Sequence, residues 1–465
     1  MEACSLSFIS TACAGEQMSG LPETRVQRVC TDSRQVKTGD LFFALRGGRF
    51  DGHDFLRETA EKGAVAVVAE RGRVPANWNG CAMIVVDDTR RALGRLAADY
   101  RRDFLLPVVA VGGSNGKTTT KELVASVLKE RLATLWSEAS FNNDIGVPLT
   151  LLRLDKSYQA AVLEAGTNHP GELAPLVKMI RPNYGVITSV GREHLEFFGD
   201  VASVAQEEGW LAELLPADGK LFVDGDNEWA SHTAARSRAQ VVRVGFAAAN
   251  EWRARGVRFD KQGMRFHVDG PNADFAGEYR MHLLGRHQVV NALFAIAIGM
   301  ELGLGRADVA QGLAECRPPK MRLELCEVGG VSLLDDTYNA NADSMLAALR
   351  TLQELPCKGR RVAVLGDMAE LGAHSEGAHE ETGRQAAELG IAQLFAVGEM
   401  ARVMGRAARA AGLNRVFEFA DVETAAAAVK SFVKPGDLVL VKASRAMRLE
   451  RIAELLRIGE AVRKN

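Results

Sequence analysis

The chain of 465 residues has little that would mark a secreted, membrane-embedded or nucleic-acid-binding protein. Its seven cysteines are scattered without zinc or redox spacing, which is typical of reduced thiols in a cytoplasm. The formal net charge is only −2, so we expect small molecules rather than nucleic acid as partners. No apolar run is long enough to span a bilayer, and residues 1–20 lack the basic segment of a signal peptide. These absences predict a cytoplasmic enzyme.

The composition that is present belongs to a globular protein, with 47% hydrophobic and 25% charged residues. A chain of this length exceeds one hydrophobic core and predicts about three domains. Pro107 opens a second block, and Pro318 with Pro319 ends it, because two prolines cannot continue a helix. The predicted domains are residues 1–103, 104–317 and 318–465.

Short strands alternate with helices in all three blocks, which predicts an α/β fold. The predicted strands are 64–68 and 83–86 in the first block, 108–111, 160–163 and 185–188 in the second, and 333–335, 362–365, 394–397, 416–419 and 438–441 in the third. The second block also has a predicted hairpin at 252–268 and a closing helix at 287–303. The third block predicts a doubly wound, Rossmann-like parallel sheet, but it has no Gly-x-Gly-x-x-Gly, so no nicotinamide site is expected.

Residues 108–120 are the most informative stretch, because a buried strand, a Gly-rich loop and a helix predicted over 121–132 follow one another. Glycines let backbone N–H groups approach phosphate oxygens, and Lys117 adds a charge from a surface loop. The Thr118 hydroxyl is a candidate ligand for Mg²⁺. Val111 stands where the strict eight-residue motif has its first glycine. The pattern predicts ATP binding.

Further polar residues follow predicted strands, where ligands bind in α/β sheets. Glu164 ends one strand and is placed to hold Mg²⁺, and His194 follows another. An isolated histidine is more often a helix cap or a core residue. Arg322 lies at the second domain boundary, where it could contact a γ-phosphate or form an interdomain salt bridge.

Seven segments in order resemble the Mur ligase family, and the resemblance covers nearly the whole chain. They are Gly-Lys-Thr-Thr at 116–119, Phe-Asn-Asn at 141–143, Glu-Ala-Gly at 164–166, His-Leu-Glu at 194–196, Gly-Arg-His at 285–287, Met-Arg at 321–322 and Asp-Asp-Thr-Tyr-Asn-Ala-Asn at 335–341. The resemblance implies an N-terminal domain that binds a UDP-linked substrate, a central P-loop ATPase-type domain and a Rossmann-like C-terminal domain. The run Thr-Asp-Ser-Arg at 31–34 is similar to the uridine-nucleotide domain of some members.

Segments 336–345, 365–372 and 441–447 point within the family to the ligase of D-alanyl-D-alanine. The implied reaction joins this dipeptide to UDP-N-acetylmuramoyl-tripeptide through an acyl phosphate, with ATP and Mg²⁺, in peptidoglycan precursor synthesis. One alternative is MurE, although its Asp-Asn-Pro-Arg motif is absent. Another is folylpolyglutamate synthase, which the 31–34 run disfavours. An alternative of another class is an inactive nucleotide-binding scaffold.

The resemblance also implies site residues, a monomer, and closure of the third domain over the nucleotide. The implied nucleotide-binding residues are Gly113, Ser114, Asn115, Gly116, Lys117, Thr118, Thr119, Asn291, Arg322, Asp336, Asn339 and Asn341. The implied substrate-binding residues are Ser33, Arg34, Asn142, Asn143, Thr167, Ser189, Ser444 and Arg445. The implied metal ligands are Thr118, Glu164, His194 and Glu208, and the implied catalytic residues are Lys117, Glu164, His194, Arg322 and Glu208.

One position departs from the family pattern. Relatives place a CO₂-carbamylated lysine in the helix after His-Leu-Glu, but residues 204–210 here contain no lysine. We align Glu208 with it, and Glu207 is the alternative. A glutamate offers the same charge on an arm shorter by roughly 3–4 Å. Both glutamates could also belong to a solvated helix face.

Overall fold

A computed structural model describes residues 1–260 and 263–461. Within these ranges, three large sheets of five, nine and six strands follow one another along the chain, with helices packed against them. The predicted α/β class is therefore confirmed. None of the described helices is both long and apolar enough to cross a membrane.

The first sheet has the strand order β2-β7-β6-β5-β4 and is parallel except at β2. Its part of the chain contains β1 Cys4–Ser5, α1 Leu6–Ala12, β2 Glu16–Ser19, β3 Arg25–Val26, β4 Arg28–Cys30, β5 Asp40–Phe43, α2 Leu56–Glu61, β6 Ala66–Glu70, β7 Ala82–Val86 and α3 Thr89–Arg101. The predicted strands at 64–68 and 83–86 correspond to β6 and β7.

The second sheet has the order β16-β15-β14-β13-β12-β11-β8-β10-β9. This region contains β8 Val108–Gly112, α4 Lys117–Leu128, β9 Thr134–Trp136, α5 Gly146–Leu151, β10 Ala160–Glu164, α6 Leu173–Ile180, β11 Tyr184–Ile187, α7 Leu195–Phe198, α8 Val201–Glu213, β12 Lys220–Asp224, α9 Ala230–Ala234, β13 Gln240–Gly245, β14 Trp252–Asp260, β15 Gly263–Asp269, β16 Gly277–Met281, α10 Arg286–Glu301 and α11 Arg306–Glu315.

Strands β8 to β14 are parallel where they pair, whereas β14, β15 and β16 are antiparallel. Strands β8 and β10 bury every residue, because helices cover both faces of the parallel part. The predicted hairpin is confirmed by the antiparallel register of β14 with β15, and its turn at 261–262 lies outside the described residues.

The third sheet has the order β17-β18-β22-β19-β20-β21, and only β17 runs antiparallel. Its region contains β17 Glu324–Val328, β18 Val331–Asp335, α12 Ala342–Glu354, β19 Arg361–Gly366, α13 Ser375–Glu388, β20 Gln393–Val397, α14 Ala401–Ala410, β21 Val416–Phe419, α15 Val422–Phe432, β22 Leu438–Lys442 and α16 Glu450–Ala461. All five strands predicted here are present, and they form the predicted doubly wound sheet.

Helix α3 joins the first region to the second, because it packs against α5 and α6. The Tyr100 hydroxyl donates to the Leu154 carbonyl at 2.6 Å, and the buried Arg101 donates to the Ile180 carbonyl at 3.0 Å. In the second sheet, the carboxyl ends of β10, β8, β11 and β12 lie side by side at one edge. That edge faces the third region and carries the candidate site.

Candidate active site

The loop between β8 and α4 has the backbone of a phosphate cradle. Gly113 and Gly116 have φ values of +108° and +90°, which only glycine adopts without strain. A Cβ at Gly116 would lie 2.8 Å from the Asn291 Oδ1 atom, so space also requires glycine there. The helix begins at Lys117 and ends at Leu128, so the predicted span 121–132 was wrong. The αL conformation of Gly116 starts the helix directly on the loop, where its N–H groups face an anion.

Lys117 is largely buried rather than placed on the surface as predicted, because only 13% of its side chain is exposed. Its ammonium donates to the Gly113 carbonyl at 2.5 Å and lies 3.5 Å from Glu193 Oε2. Burial alone would lower the pKa of Lys117, but the nearby carboxylates of Glu193, Glu208 and Glu164 outweigh burial and raise that pKa. Lys117 is therefore a fixed cation in the loop.

Three buried carboxyl groups surround this cation. Glu164 ends β10 and accepts a hydrogen bond from the Asn142 amide at 2.8 Å, while Glu208 accepts from the Gly113 N–H at 2.6 Å. Within the described residues, one oxygen each of Glu164, Glu193 and Glu208 is buried without a hydrogen-bond partner. Burial raises the pKa of Glu193 to about 8 and that of Glu208 to about 7. Unpartnered buried carboxylate oxygens are costly and call for a cation.

Residues of the third region face the phosphate loop and contact it. The Arg322 guanidinium lies 4.0 Å above the Tyr338 ring and donates to the Thr118 hydroxyl at 3.1 Å. The Tyr338 hydroxyl lies 2.9 Å from the Ser140 hydroxyl, and the Asn341 amide donates to Asn115 at 3.1 Å. Arg322 thus crosses the domain boundary to the phosphate loop, as the contact with a γ-phosphate would require.

The two regions are also held together outside the phosphate loop. Arg192 donates to Asp343 at 2.8 Å and to Glu381 at 2.5 Å, and both acceptors belong to the third region. His194 has a positive φ of 49°, and its Nδ1 atom lies 2.5 Å from the Glu370 carboxylate. The segment that follows β11 is therefore fastened to the third region, and His194 is occupied by an interdomain contact.

These groups border a cavity of about 820 Å³, which is large enough for a nucleotide and part of a second substrate. Most of the site residues predicted from the sequence line this cavity: Ser114, Asn115, Gly116, Lys117, Thr118, Thr119, Asn142, Asn143, Glu164, Thr167, Ser189, His194, Asn291, Arg322, Asp336, Asn339, Asn341, Ser444 and Arg445. Gly113 of the loop and Glu208, which accepts from its N–H, are not part of the cavity wall. Ser33 and Arg34 also do not border the cavity and belong to the first region.

Comparison with known proteins gives the same picture along the whole chain. The UDP-N-acetylmuramoyl-tripeptide–D-alanyl-D-alanine ligase of Escherichia coli (strain K12) is 37% identical, over 92% of this chain and 93% of that protein. The chain belongs to the Mur ligase family. The family's catalytic domain model matches residues 25–101, its middle domain model 111–299, and its glutamate ligase domain model 321–445.

Other relatives of this Mur ligase agree. The ligase of the same name from Bacillus subtilis (strain 168) is 35% identical over 93% of each chain. Crystal structure I of MurF from Acinetobacter baumannii superposes with a TM-score of 0.90 at 31% identity, covering 98% of this chain and 99% of that one. MurF from Thermotoga maritima, solved in complex with ADP, superposes with a TM-score of 0.82 at 27% identity, covering 94% of this chain and 99% of that one. The three-domain architecture expected from the resemblance is thereby confirmed.

The metal ligands implied by the resemblance are not assembled in this Mur ligase structure. Among the described residues, no three histidine, cysteine, aspartate or glutamate side chains are close enough together to hold a metal ion. His194 contacts Glu370, and Glu208 contacts Gly113 of the loop. The ligand set therefore stays a prediction.

The structure separates the two candidate replacements for the family's lysine. Both carboxylates are buried, so the solvated helix face is wrong for either. Glu207 accepts from the Gly171 and Leu173 N–H groups at 2.9 and 2.8 Å, so it stabilises the start of α6. Glu208 points instead to the phosphate loop at Gly113. Glu208 is thus the one of the pair whose charge acts on the site.

Several site residues of this Mur ligase were missed from the sequence. Lys442 lies inside the segment 441–447, and Glu193 directly precedes the segment 194–196, but the roles of both residues depend on folding. Lys442 is 2.7 Å from Asp336 and donates to the Asn339 carbonyl at 2.9 Å. Lys121 is fully buried and donates to two carbonyls of the loop that carries Ser140. The sequence did offer one signal for Lys121, since it is a charged residue on the apolar face of α4.

Proposed function

We propose that this chain ligates D-alanyl-D-alanine to UDP-N-acetylmuramoyl-tripeptide, with ATP converted to ADP and phosphate. The observation that carries the proposal is that relatives 35–37% identical over more than nine-tenths of the chain have this name. The cavity supports it, because a phosphate loop and a second domain meet around one space. The structural likeness to the diaminopimelate ligase and to folylpolyglutamate synthase, at 16% and 15% identity, shows a common fold only.

The first step is the attack of the tripeptide carboxylate on the γ-phosphate of ATP, which brings two anions together. Lys117 of the phosphate loop and Arg322 of the third region both border the cavity and would offset that repulsion. The product is a mixed anhydride, an acyl phosphate, with ADP as the leaving group. The amine of D-alanyl-D-alanine then attacks the acyl carbon, and phosphate leaves as the amide forms.

The donors on this edge of the sheet fit Mg²⁺, because they are hard oxygen ligands and the glutamates among them each have a buried, unpartnered oxygen. We propose that the Thr118 hydroxyl and Glu164 hold one ion, with Glu193 beside them. His194 and Glu208 remain candidates for a second ion. Bound Mg²⁺ would withdraw charge from the phosphate oxygens and help to orient them.

An acyl phosphate must be kept from water, and the interdomain contacts serve that purpose. Arg192 and His194 fasten the segment after β11 to the third region, so the cavity is walled on both sides. We propose that the uridine diphosphate end of the substrate binds near Ser33 and Arg34, on the first region. The seven cysteines are all unpaired, which supports a reducing cytoplasm as the place of the reaction.

The experiment that tests the proposal offers alternative amine donors. With ATP and UDP-N-acetylmuramoyl-tripeptide, we expect ADP release that depends on D-alanyl-D-alanine, whereas free meso-diaminopimelate and glutamate are inactive. Both tripeptides, with diaminopimelate or lysine in third position, should be supplied. Efficient coupling of one amino acid to a UDP-muramoyl dipeptide would move the assignment to MurE. No ADP release with any donor would support the inactive scaffold.

A second prediction concerns Glu208. Because the carboxyl group of Glu208 is part of the chain and needs no CO₂, we expect the ligation rate to be unchanged when bicarbonate is stripped from the buffer. Glu208→Gln should lower turnover about tenfold, because the loop at Gly113 and the cation at Lys117 lose a buried negative charge. Glu207→Gln is the matched control and should lower thermal stability more than turnover, since it caps α6.

The contrary result for Glu208 is equally clear. If Glu208→Gln turns over at the wild-type rate, the carboxylate does not replace the family's lysine. Bicarbonate-dependent activity of the wild-type protein would contradict the same idea. If added bicarbonate restores the turnover of Glu208→Lys, that result would support the idea, because the introduced lysine could then be carbamylated.

A further inference from the structure

The cavity continues from the phosphate loop along the sheet edge to Asp224, the last residue of β12. Strands β8, β11 and β12 are adjacent and parallel, so Asp224 lies two strand spacings, about 10 Å, from the end of β8. That offset suits an extended nucleotide whose phosphates rest on the loop and whose base reaches sideways. Asn291 and Gln288 of α10 also border the cavity, with Asn291 beside Gly116 of the phosphate loop.

Asp224 is the acceptor left free at this end. One of its oxygens accepts from the Asp226 N–H at 3.0 Å, and the other has no hydrogen bond within the described ranges 1–260 and 263–461. Asn227 also borders the cavity, but its amide donates to the Val190 carbonyl and its oxygen accepts from the Trp229 N–H. Both ends of the Asn227 amide are therefore engaged once, and these two bonds hold its side chain against the protein.

The neighbouring Asp226 is not a candidate for binding a ligand, because its carboxylate already accepts several hydrogen bonds. Its carboxylate accepts from the N–H groups of Phe246 and Ala247 and from the Asn250 amide, so it holds a turn together. Asp226 is also absent from the cavity wall, whereas Asp224 is part of it. Of the two carboxylates in this turn, only Asp224 is placed to meet a ligand.

The chemistry of the surrounding groups indicates a base. Asn291 donates to the Gln288 side-chain oxygen at 2.7 Å, while small apolar residues of α12, Ala347 and Ala348, border the cavity from the third region. Apolar walls with a few polar groups are typical of pockets for flat aromatic ligands. Burial raises the pKa of Asp224 to about 7, and the nearby Asp226 carboxylate adds to this effect.

We propose that Asp224 accepts a hydrogen bond from the exocyclic amino group of adenine and thereby selects ATP over GTP. Guanine presents a carbonyl oxygen at the equivalent position, and two acceptors facing each other in a buried site repel. The inference rests on the proposed ATP-dependent ligation and adds a specificity-determining residue to it. Asp224 takes no part in the chemistry at the γ-phosphate.

The experiment compares kcat/KM of ligation for ATP, GTP and purine riboside triphosphate, which lacks only the amino group. When the amino group is removed from the nucleotide, we expect kcat/KM of the wild-type protein to fall about tenfold or more. For Asp224→Ala, we expect kcat/KM to fall at most about twofold. Asp224→Asn should raise GTP use relative to ATP by about tenfold, because an amide can donate to the guanine carbonyl. Glu228→Gln, an exposed change in the same turn, should behave like the wild type.

Three outcomes would overturn the inference. An equal loss on amino-group removal in the wild type and in Asp224→Ala would show that Asp224 does not read the base. If Asp224→Ala instead becomes indifferent to 2′-deoxy-ATP, the carboxylate serves the ribose. If the wild-type protein releases no ADP with any nucleotide, the proposed function fails, and this inference with it. In the first two cases the proposed function stands.

Discussion

Lys117→Ala is expected to reduce ATP-dependent ligation by about a thousandfold. The ammonium is held by the Gly113 carbonyl beside three carboxyl groups, so no other cation of the loop can take its place at the γ-phosphate. The measurement is ADP release in the presence of UDP-N-acetylmuramoyl-tripeptide and D-alanyl-D-alanine. The loss should appear mainly in kcat, because charge on the phosphate grows in the transition state.

The control for this substitution is Lys129→Ala, which removes an exposed lysine just after the same helix. It should keep wild-type turnover. Because Lys117 is buried, circular dichroism of the variant is needed to show that the fold persists. Retention of more than a few per cent of ligation by a folded Lys117→Ala protein would contradict the phosphate-loop assignment.

Glu164→Gln is expected to have the second largest effect, about a hundredfold in kcat at ordinary Mg²⁺ concentration. The substitution keeps the shape of the side chain but removes the charge of a group whose second oxygen is buried and unpartnered. A weakened metal site should be recovered in part by excess metal. We therefore expect the Mg²⁺ concentration for half-maximal activity to rise, which a titration of rate against Mg²⁺ measures.

Glu138→Gln serves as the matched variant, since Glu138 forms an exposed ion pair with Arg153 and does not border the cavity. Exposed pairs of this kind contribute little, so its Mg²⁺ dependence should equal that of the wild type. An unchanged Mg²⁺ dependence in Glu164→Gln would assign Glu164 a purely structural part, through its hydrogen bond with Asn142.

Local pattern in the sequence was enough to predict five of the six strands of the third sheet, but only part of the first and second sheets. It also predicted the strand that ends at Glu164 and the one that His194 follows. It also predicted the phosphate loop, because glycines and a lysine between a buried strand and a helix have a direct physical meaning. It placed the helix four residues too late, since the loop conformation of Gly116 allows the helix to start at Lys117. Helix starts depend on backbone angles that composition does not specify.

Pairings between distant residues could not be obtained in this way. Glu193 meets Lys117 across 76 positions of sequence, and Lys442 meets Asp336 across two strands of the third sheet. Glu207 and Glu208 are adjacent on one helix, so about 100° of rotation decides which of them faces the phosphate loop. Only the packing of α8 against its neighbours distinguishes them.

The bridge from Arg192 to Asp343 and Glu381 has a consequence for inhibitors. A compound that fills the cavity is enclosed by two regions of the chain that these ion pairs fasten together. We expect such a compound to leave more easily when the bridge is broken. Its residence time is then governed by the opening of the bridge as well as by its own contacts, and added salt, which weakens partly exposed ion pairs, should shorten that time.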